Sequence, residues 1–332
     1  MLFRANMAKS IAGLVCFGLS ACGGGNSGIA FAPDPIAAPR PTPTPAPTPA
    51  PPNVPVTIFA NPSPQQYAGI GVSTTNAGDG YSAIEQNTRL IDVSIEPTRQ
   101  PSIRYNAAGY YEVRLPGAAY DRLIHYKGLL DPTRDNNFFQ TASASQNHAT
   151  FITRRSADLG FQYSELASWS DANSGLTGYL AFGSPTPTSS IPVTGSATYR
   201  GVTSGQVDIT YFDNLYGGYY FGGIDGYSTL NVDFARSLLT GSLELYVPDG
   251  MQSRLVGNFT TSPMTLTSGT NSFSGQFITG LTGFNHFNGL FTGPAAQEAI
   301  GSWALPLMIN GQSHQAIGAW IARRQDGAQA GR

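Results

Sequence analysis

The feature that most restricts how this chain can fold is the period of its apolar residues. From Val56 onward they recur at every second position in short runs, and no stretch sustains a helical period. Leu230, Val232 and Phe234 alternate with Thr229, Asn231 and Asp233. After a turn at Ala235-Arg236-Ser237, Leu239, Gly241, Leu243 and Leu245 alternate with Thr240, Ser242 and Glu244. One side of each run is apolar and the other polar, as in antiparallel strands that cover a core on one face only. Glycine, proline, asparagine and serine cut the runs short, which marks turns. The chain is therefore expected to be all-β.

The earlier runs are Leu90 to Ile95, Ser102 to Tyr105, Tyr110 to Leu115, Ala149 to Thr153, Phe161 to Trp169 and Leu176 to Phe182. Asn106-Ala107-Ala108-Gly109 makes a hairpin connection among them. The passage Gly183 to Gly201 carries three prolines and divides the pattern, and a new strand starts at Ala197-Thr198-Tyr199. Further runs at Ser253 to Thr260, Met264 to Thr267, Ser272 to Ile278, Phe287 to Phe291, Gly301 to Leu307 and Gln315 to Arg323 bring this half to about eight strands. An eight-stranded antiparallel β-barrel is the expected outcome, closed by pairing of its last and first strands. Gly241, Gly275, Gly301 and Gly318 would leave room there for neighbouring Leu, Phe and Trp.

The N-terminus has a different character. Arg4 and Lys9 precede the apolar run Ile11 to Leu19 and the small residues Ser20 and Ala21, a pattern that reads as a secretory signal over 1–21. Leu19-Ser20-Ala21-Cys22 resembles a bacterial lipobox. That resemblance implies lipidation of Cys22 and anchorage in outer-membrane lipid, with Gly23 favouring the outer membrane over the inner. Cys16 would leave with the signal, so Cys22 would be the only thiol, and the core alone must hold the exported domain. Residues 22–55 hold the candidate lipidated cysteine and a Pro/Thr/Ala-rich linker, in which Ala32 to Pro55 would reach roughly 70 Å as polyproline II. The expected domains are a handle-like β domain over 56–192, the barrel over 193–324 and a tail over 325–332. Processing would remove two of the 18 basic residues and none of the 20 acidic ones. Such a balance offers nothing to a phosphate backbone, and nucleic-acid binding is not expected.

Gly289 to Leu305, GLFTGPAAQEAIGSWAL, has the strongest local signature. It reads as strand, tight turn at Gly293-Pro294, one helical turn and strand, with Gly301, Trp303 and Leu305 on one face. Gly289, Phe291, Gly293, Pro294, Ala296, Glu298, Gly301 and Trp303 match a motif in the C-terminal barrel of surface lipoproteins of the transferrin-binding protein B type. Ile300 departs from it, where the family has glycine. The resemblance implies a handle sheet followed by the barrel, in a single lobe, displayed at the cell surface. It further implies capture of an extracellular protein or an iron-bearing solute such as haem, and export through a translocon of the surface lipoprotein assembly modulator kind. An adhesive surface protein with no soluble ligand is the rival from another class.

No motif points to catalysis. No serine has glycine two positions before and after it, and His125, His148, His286 and His314 lack zinc-ligand spacing. No catalytic residue, metal ligand or resident cofactor is therefore expected. Two stretches suit ligand contact. In Tyr211 to Tyr227, YFDNLYGGYYFGGIDGY, the residues Tyr216, Tyr219, Tyr220 and Phe221 form either an exposed binding loop or a hairpin capping the barrel. In Gly283 to Gly289, His286 lies beside Phe284 and Phe287. It is either a turn histidine or, as in the haem-binding hemophilins related to the family, a ligand to haem iron.

Overall fold

A computed structural model describes residues 64–76, 90–125, 136–142, 149–154, 159–171, 174–213, 218–249, 252–267 and 269–325. They lie in a compact unit that runs from Asn53 to Arg332. Cys22, the linker and Tyr216 fall outside the described residues. The fold is all-β and every strand pair is antiparallel, as the alternation predicts.

Ten strands make the first sheet: β1 (Gln65–Gln66), β2 (Ala68–Asn76), β3 (Leu90–Ser94), β4 (Ser102–Tyr105), β5 (Tyr111–Arg114), β6 (Tyr120–His125), β7 (Asn136–Thr141), β8 (Ala149–Arg154), β9 (Ser164–Asp171) and β10 (Leu176–Gly183). Their spatial order is β1-β4-β5-β6-β7-β8-β9-β10-β2-β3. Since β1 and β2 are one extended segment broken at Tyr67, the sheet curls until the covalent chain joins its two ends. Tyr67 fills the fold of that curl. Its ring stacks on Tyr111 at 6.2 Å and meets the edge of Phe182 at 6.0 Å, within a core that includes Ile103, Val113, Trp169 and Leu180. The expected hairpin between β4 and β5 is present. Asn106 Oδ1 accepts the N–H groups of Ala108 and Tyr110, and Gly109 takes the left-handed φ of 87° that the turn requires.

The second sheet contains β11 (Ser196–Asp213), β12 (Gly218–Asp233), β13 (Leu238–Asp249), β14 (Gln252–Thr260), β15 (Met264–Thr265), β16 (Ser272–Gly275), β17 (His286–Thr292), β18 (Glu298–Ile309) and β19 (Gln312–Gln325). Its order is β14-β13-β12-β11-β19-β18-β17-β16, with β15 paired to β13. The last strand does pair with the first, from Thr198↔Gln325 to Val207↔Ala316. The sheet nevertheless does not close into the expected barrel. The strand β16 stops at Gly275, too short to form a ladder with β14. The two edges meet only at the isolated bridge Thr261↔Phe277, supported by Ser262 N–H to Gln276 O and Ile278 N–H to Thr260 O.

The motif turn also differs from the expected helical turn. Residues 293–296 form turns, with left-handed backbone at Gly293 (φ 82°) and Ala296 (φ 55°), which one turn of right-handed helix excludes. Ala296 is buried and its carbonyl accepts the Tyr199 hydroxyl at 2.7 Å, so a tertiary hydrogen bond helps to hold a conformation that alanine disfavours.

The four inward glycines carry the large side chains predicted for them. An added Cβ would lie 2.6 Å from Phe287 at Gly241, 2.5 Å from Met264 at Gly275, and 2.5 Å from the indoles of Trp320 at Gly301 and Trp303 at Gly318. The strands β18 and β19 are buried on both faces. Trp303, Leu305, Leu307 and Trp320 enter the core of the second sheet. The opposite face presents Ile300, Ala304, Ile317, Ala319 and Ile321 to Val72, Leu166 and Ala181 of the first.

Glu298 joins the two sheets by accepting hydrogen bonds from backbone N–H groups. Its carboxyl is 1% exposed and accepts the backbone N–H groups of Gln162 at 2.6 Å and Tyr163 at 3.0 Å. Burial pushes its pKa above the ordinary carboxylate range, against the lowering effect of these bonds and of Arg323.

Three substitutions, one of them a control, test this packing by chemical denaturation. Gly301→Ala places a Cβ 1.9 Å from Asn288 O and is expected to destabilise by about 3 kcal/mol, whereas Gly280→Ala, with nothing within 4 Å, should stay within about 0.5 kcal/mol of the parent. Glu298→Ala leaves two buried N–H groups unpaired and should cost about 2–4 kcal/mol.

Candidate functional site

The alternation on β16 and β17 sends Phe273, Phe287 and Phe291 into the core of the second sheet. Ser272, Ser274, His286 and Asn288 are therefore left on the face that looks toward the first sheet. There the two sheets separate, and a cleft of about 630 Å³ opens between them. Ile70 of β2 and Ile95 form one wall. Thr265, Thr267, Thr270, Ser272, Ser274, His286 and Asn288 form the other, with Phe273 and Gly289. None of these lining residues is charged. The cleft is an uncharged surface of hydroxyls, one amide and one imidazole beside two isoleucines.

His286 stands at its margin, across the ladder from Ala304. Its ring is tilted 32° to that of Phe284, with centroids 6.3 Å apart. Its Nε2 is buried and has no hydrogen-bond partner. Burial lowers the imidazole pKa, so the ring is neutral at neutral pH and one ring nitrogen is a free acceptor. Asn288 is committed elsewhere, its Oδ1 accepting the Ser302 N–H at 2.9 Å and hydroxyl at 2.7 Å. The adjacent Trp320 indole donates to the Asn288 carbonyl. This wall is thus held by the same tryptophan that packs over Gly301.

The other expected site residues are not brought here. Tyr219 and Tyr220 lie on β12, paired with Phe212 and Tyr211, and Phe221 pairs with Thr210. These three therefore lie on a hairpin ladder. Of the expected site residues, His286 is the one that lines this cleft, and the residues around it were not singled out in the sequence. The available signal was the run TLTSGTNSFSG from Thr265 to Gly275, unusually rich in hydroxyls for a stretch that borders a core.

A second groove, of about 730 Å³, lies along the ends of β11, β12 and β13. Its Asp233 and Arg236 pair with each other at 3.7 Å, and none of the buried unpartnered groups among the described residues lines it. Those residues also include no cluster of three or more His, Cys, Asp or Glu suited to a metal ion. No helix among them is long and apolar enough to cross a membrane.

No protein-family profile and no curated protein matches the chain. Among solved structures, its fold is similar to a mutant transferrin-binding protein B from Haemophilus parasuis Hp5, at 15% identity and a TM-score of 0.43 over 79% of this chain and 46% of that one. It is also similar to transferrin-binding protein B from serogroup B Neisseria meningitidis, at 16% identity and a TM-score of 0.40 over 79% and 44%. The apo haemoglobin receptor HpuA from Kingella denitrificans aligns at 15% identity and a TM-score of 0.37, over 80% and 89%. The chain spans less than half the length of the first two. At this level the likeness concerns architecture and says nothing about a ligand.

The lowered pKa of His286 gives a pH-dependent expectation. As pH falls through about 6.5, the unfolded chain takes up a proton that the folded chain still refuses, so stability falls until the lower folded pKa is reached. His286→Gln removes that term. Denaturant midpoints measured from pH 7 to pH 5 should therefore decline less steeply for the variant than for the parent.

Proposed function

We propose that this protein is a non-enzymatic surface lipoprotein, anchored in the outer membrane through Cys22, that binds an extracellular ligand in the cleft beside His286. The observation that carries the reading is the open cleft itself, lined by hydroxyls, one amide, the edge of one imidazole and aliphatic side chains, with no charged group among them. A rigid strand wall with free polar groups suits recognition of a ligand, and nothing in the cleft supplies a nucleophile–base pair or paired carboxylates.

The chemistry of the lining narrows the ligand class. Haem carries two carboxylates, and no cationic side chain lines the cleft to meet them. Axial ligation through Nε2 would also require the walls to part, because that atom has no accessible surface. The geometry favours an uncharged ligand rich in hydroxyls, such as the neutral glycan of an extracellular protein, over the haem alternative.

Two measurements test this. The full chain, screened against neutral glycans by surface plasmon resonance, should bind at least one saturably, and Ser274→Arg, which fills the cleft with a long side chain, should weaken that binding at least about tenfold, or 1.4 kcal/mol. A one-to-one haem complex with a shifted Soret band that is lost in His286→Ala would replace the glycan reading with haem capture. If both titrations are flat, the cleft is not a ligand site. Anchorage is tested separately: Cys22→Ala should abolish incorporation of labelled palmitate and release the protein from the membrane fraction.

A further inference from the structure

The face of β4 to β6 turned away from the core of the curled first sheet has a composition unlike the rest of the protein. Tyr111 and Val113 point into the core between the two halves of the curled sheet, so their neighbours along β5 point outward, as do alternate residues of β4 and β6. Arg104, Glu112, Arg114, Tyr120 and Arg122 share this outer face, and Tyr110 continues it beyond β5. Arg104 stacks over one side of the Tyr120 ring with its guanidinium carbon 4.0 Å from the centroid, and Arg114 lies 5.1 Å from the same centroid. Arg122 stacks on Tyr110 at 4.8 Å. The Tyr120 hydroxyl donates to Gln66 Oε1 at 2.8 Å, which fixes the ring that the arginines use.

Charge on this face is unbalanced. Glu112 neutralises Arg104. Arg114 reaches only the Ser102 hydroxyl, and among the described residues neither Arg114 nor Arg122 has a carboxylate partner, although both are exposed. Among the described residues the face thus carries two cations outside any ion pair, Glu112 across the ladder from Arg122 being taken by Arg104, in a chain with a formal net charge of -2 and only 11% charged residues. Stacking on tyrosine orients each guanidinium plane and limits the rotamer entropy lost when its N–H edge engages a planar acceptor. Carboxylates take two parallel hydrogen bonds from such an edge. Tyrosine and arginine together are also the residue types that carry most binding energy at protein interfaces.

The geometry points to a docking surface, formed by Arg104, Tyr110, Arg114, Tyr120 and Arg122, for an acidic patch on a partner protein. A protein is favoured over a sulfated or phosphorylated polymer because two free cations flanked by aromatics match a few carboxylates on a surface with apolar content. Polyanion binding draws instead on a dense run of cations. The site is separate from the His286 cleft and does not depend on what that cleft binds.

Fluorescence anisotropy of the full chain tests the assignment, with labelled peptides of alternating Glu and Tyr, alternating Gln and Tyr, and a heparin oligosaccharide as probes. The Glu/Tyr peptide should bind saturably and the Gln/Tyr peptide at least about tenfold more weakly, with affinity for the former falling as salt rises. The double variant Arg114→Glu and Arg122→Glu should lose at least about tenfold in affinity for the Glu/Tyr peptide at an unchanged melting temperature. Arg114→Lys with Arg122→Lys, which keeps charge but not the planar fork, should fall between the two. Equal binding by parent and Glu variant, or tighter binding of heparin than of the Glu/Tyr peptide, would overturn the proposal. If the Glu variant fails to fold, the Lys variant decides: no loss relative to the parent overturns it.

Discussion

The structure depends above all on one hairpin, β18–β19, being buried on both faces. In most antiparallel sheets one face stays wet, and a strand can shift by two residues at limited cost. Here neither face is free. Trp303 and Trp320 must reach the core of the second sheet while Ile300 and Ile321 meet the first, so the parity of every residue is fixed by packing on both sides. The glycines follow from this. Gly301 and Gly318 sit under the indoles, and the Trp303 N–H finds Thr203 Oγ1 at 2.7 Å, whose hydroxyl donates to the Ala319 carbonyl. Both indole donors are thereby satisfied without water, which a buried tryptophan requires.

Glu298 gives this hairpin its attachment point. Apolar contacts alone would allow the first sheet to slide over β18 and β19, since dispersion has no preferred direction. A carboxylate accepting two successive N–H groups at Gln162 and Tyr163 fixes one position, and the Ser164–Thr292 hydroxyl contact at 2.7 Å lies beside it. Such a buried group gives little net stability relative to an apolar substitute of the same shape, but breaking it is expensive. Its raised pKa is the mark of that balance: desolvation outweighs the hydrogen bonds and the Arg323 charge that favour ionisation.

How much of this was legible in the sequence follows from which faces are wet. The strands β12 and β13 alternate cleanly because one face meets solvent, and the inward assignments of Leu230, Val232, Leu243 and Leu245 hold. In β18 the parity of Gly301, Trp303 and Leu305 was readable, but not that Ile300 and Ala304 on the other face are buried too. That burial is supplied by a sheet distant in sequence. The local turn at Gly293 to Ala296 was misread as helical because alanine and glutamate are good helix formers, and propensity yields to the Tyr199 bond that fixes Ala296. Barrel closure failed for a length reason, since alternation reports which way a strand faces and not where its ladder stops. His286 stood out by the aromatics beside it in sequence, whereas Ile70 and Ile95 come to the same cleft only through tertiary structure.

The cleft and the core between the sheets are two versions of one interface. Along β18 and β19 the gap is filled by Ile300, Ile317, Ala319 and Ile321 packed on Val72, Leu166 and Ala181. One strand further, on β17 and β16, the equivalent outward positions are His286, Asn288, Ser272 and Ser274, and the filling gives out. Replacing aliphatic side chains by polar ones removes the attraction that would draw the sheets together there, while the neighbouring hairpin keeps them from separating further. The opening therefore needs no mobile loop. Much of its wall is strand, with Ile70 on β2, Thr265 on β15, Ser272 and Ser274 on β16, and His286 and Asn288 on β17, beside a two-faced core that keeps those strands in place before a ligand arrives.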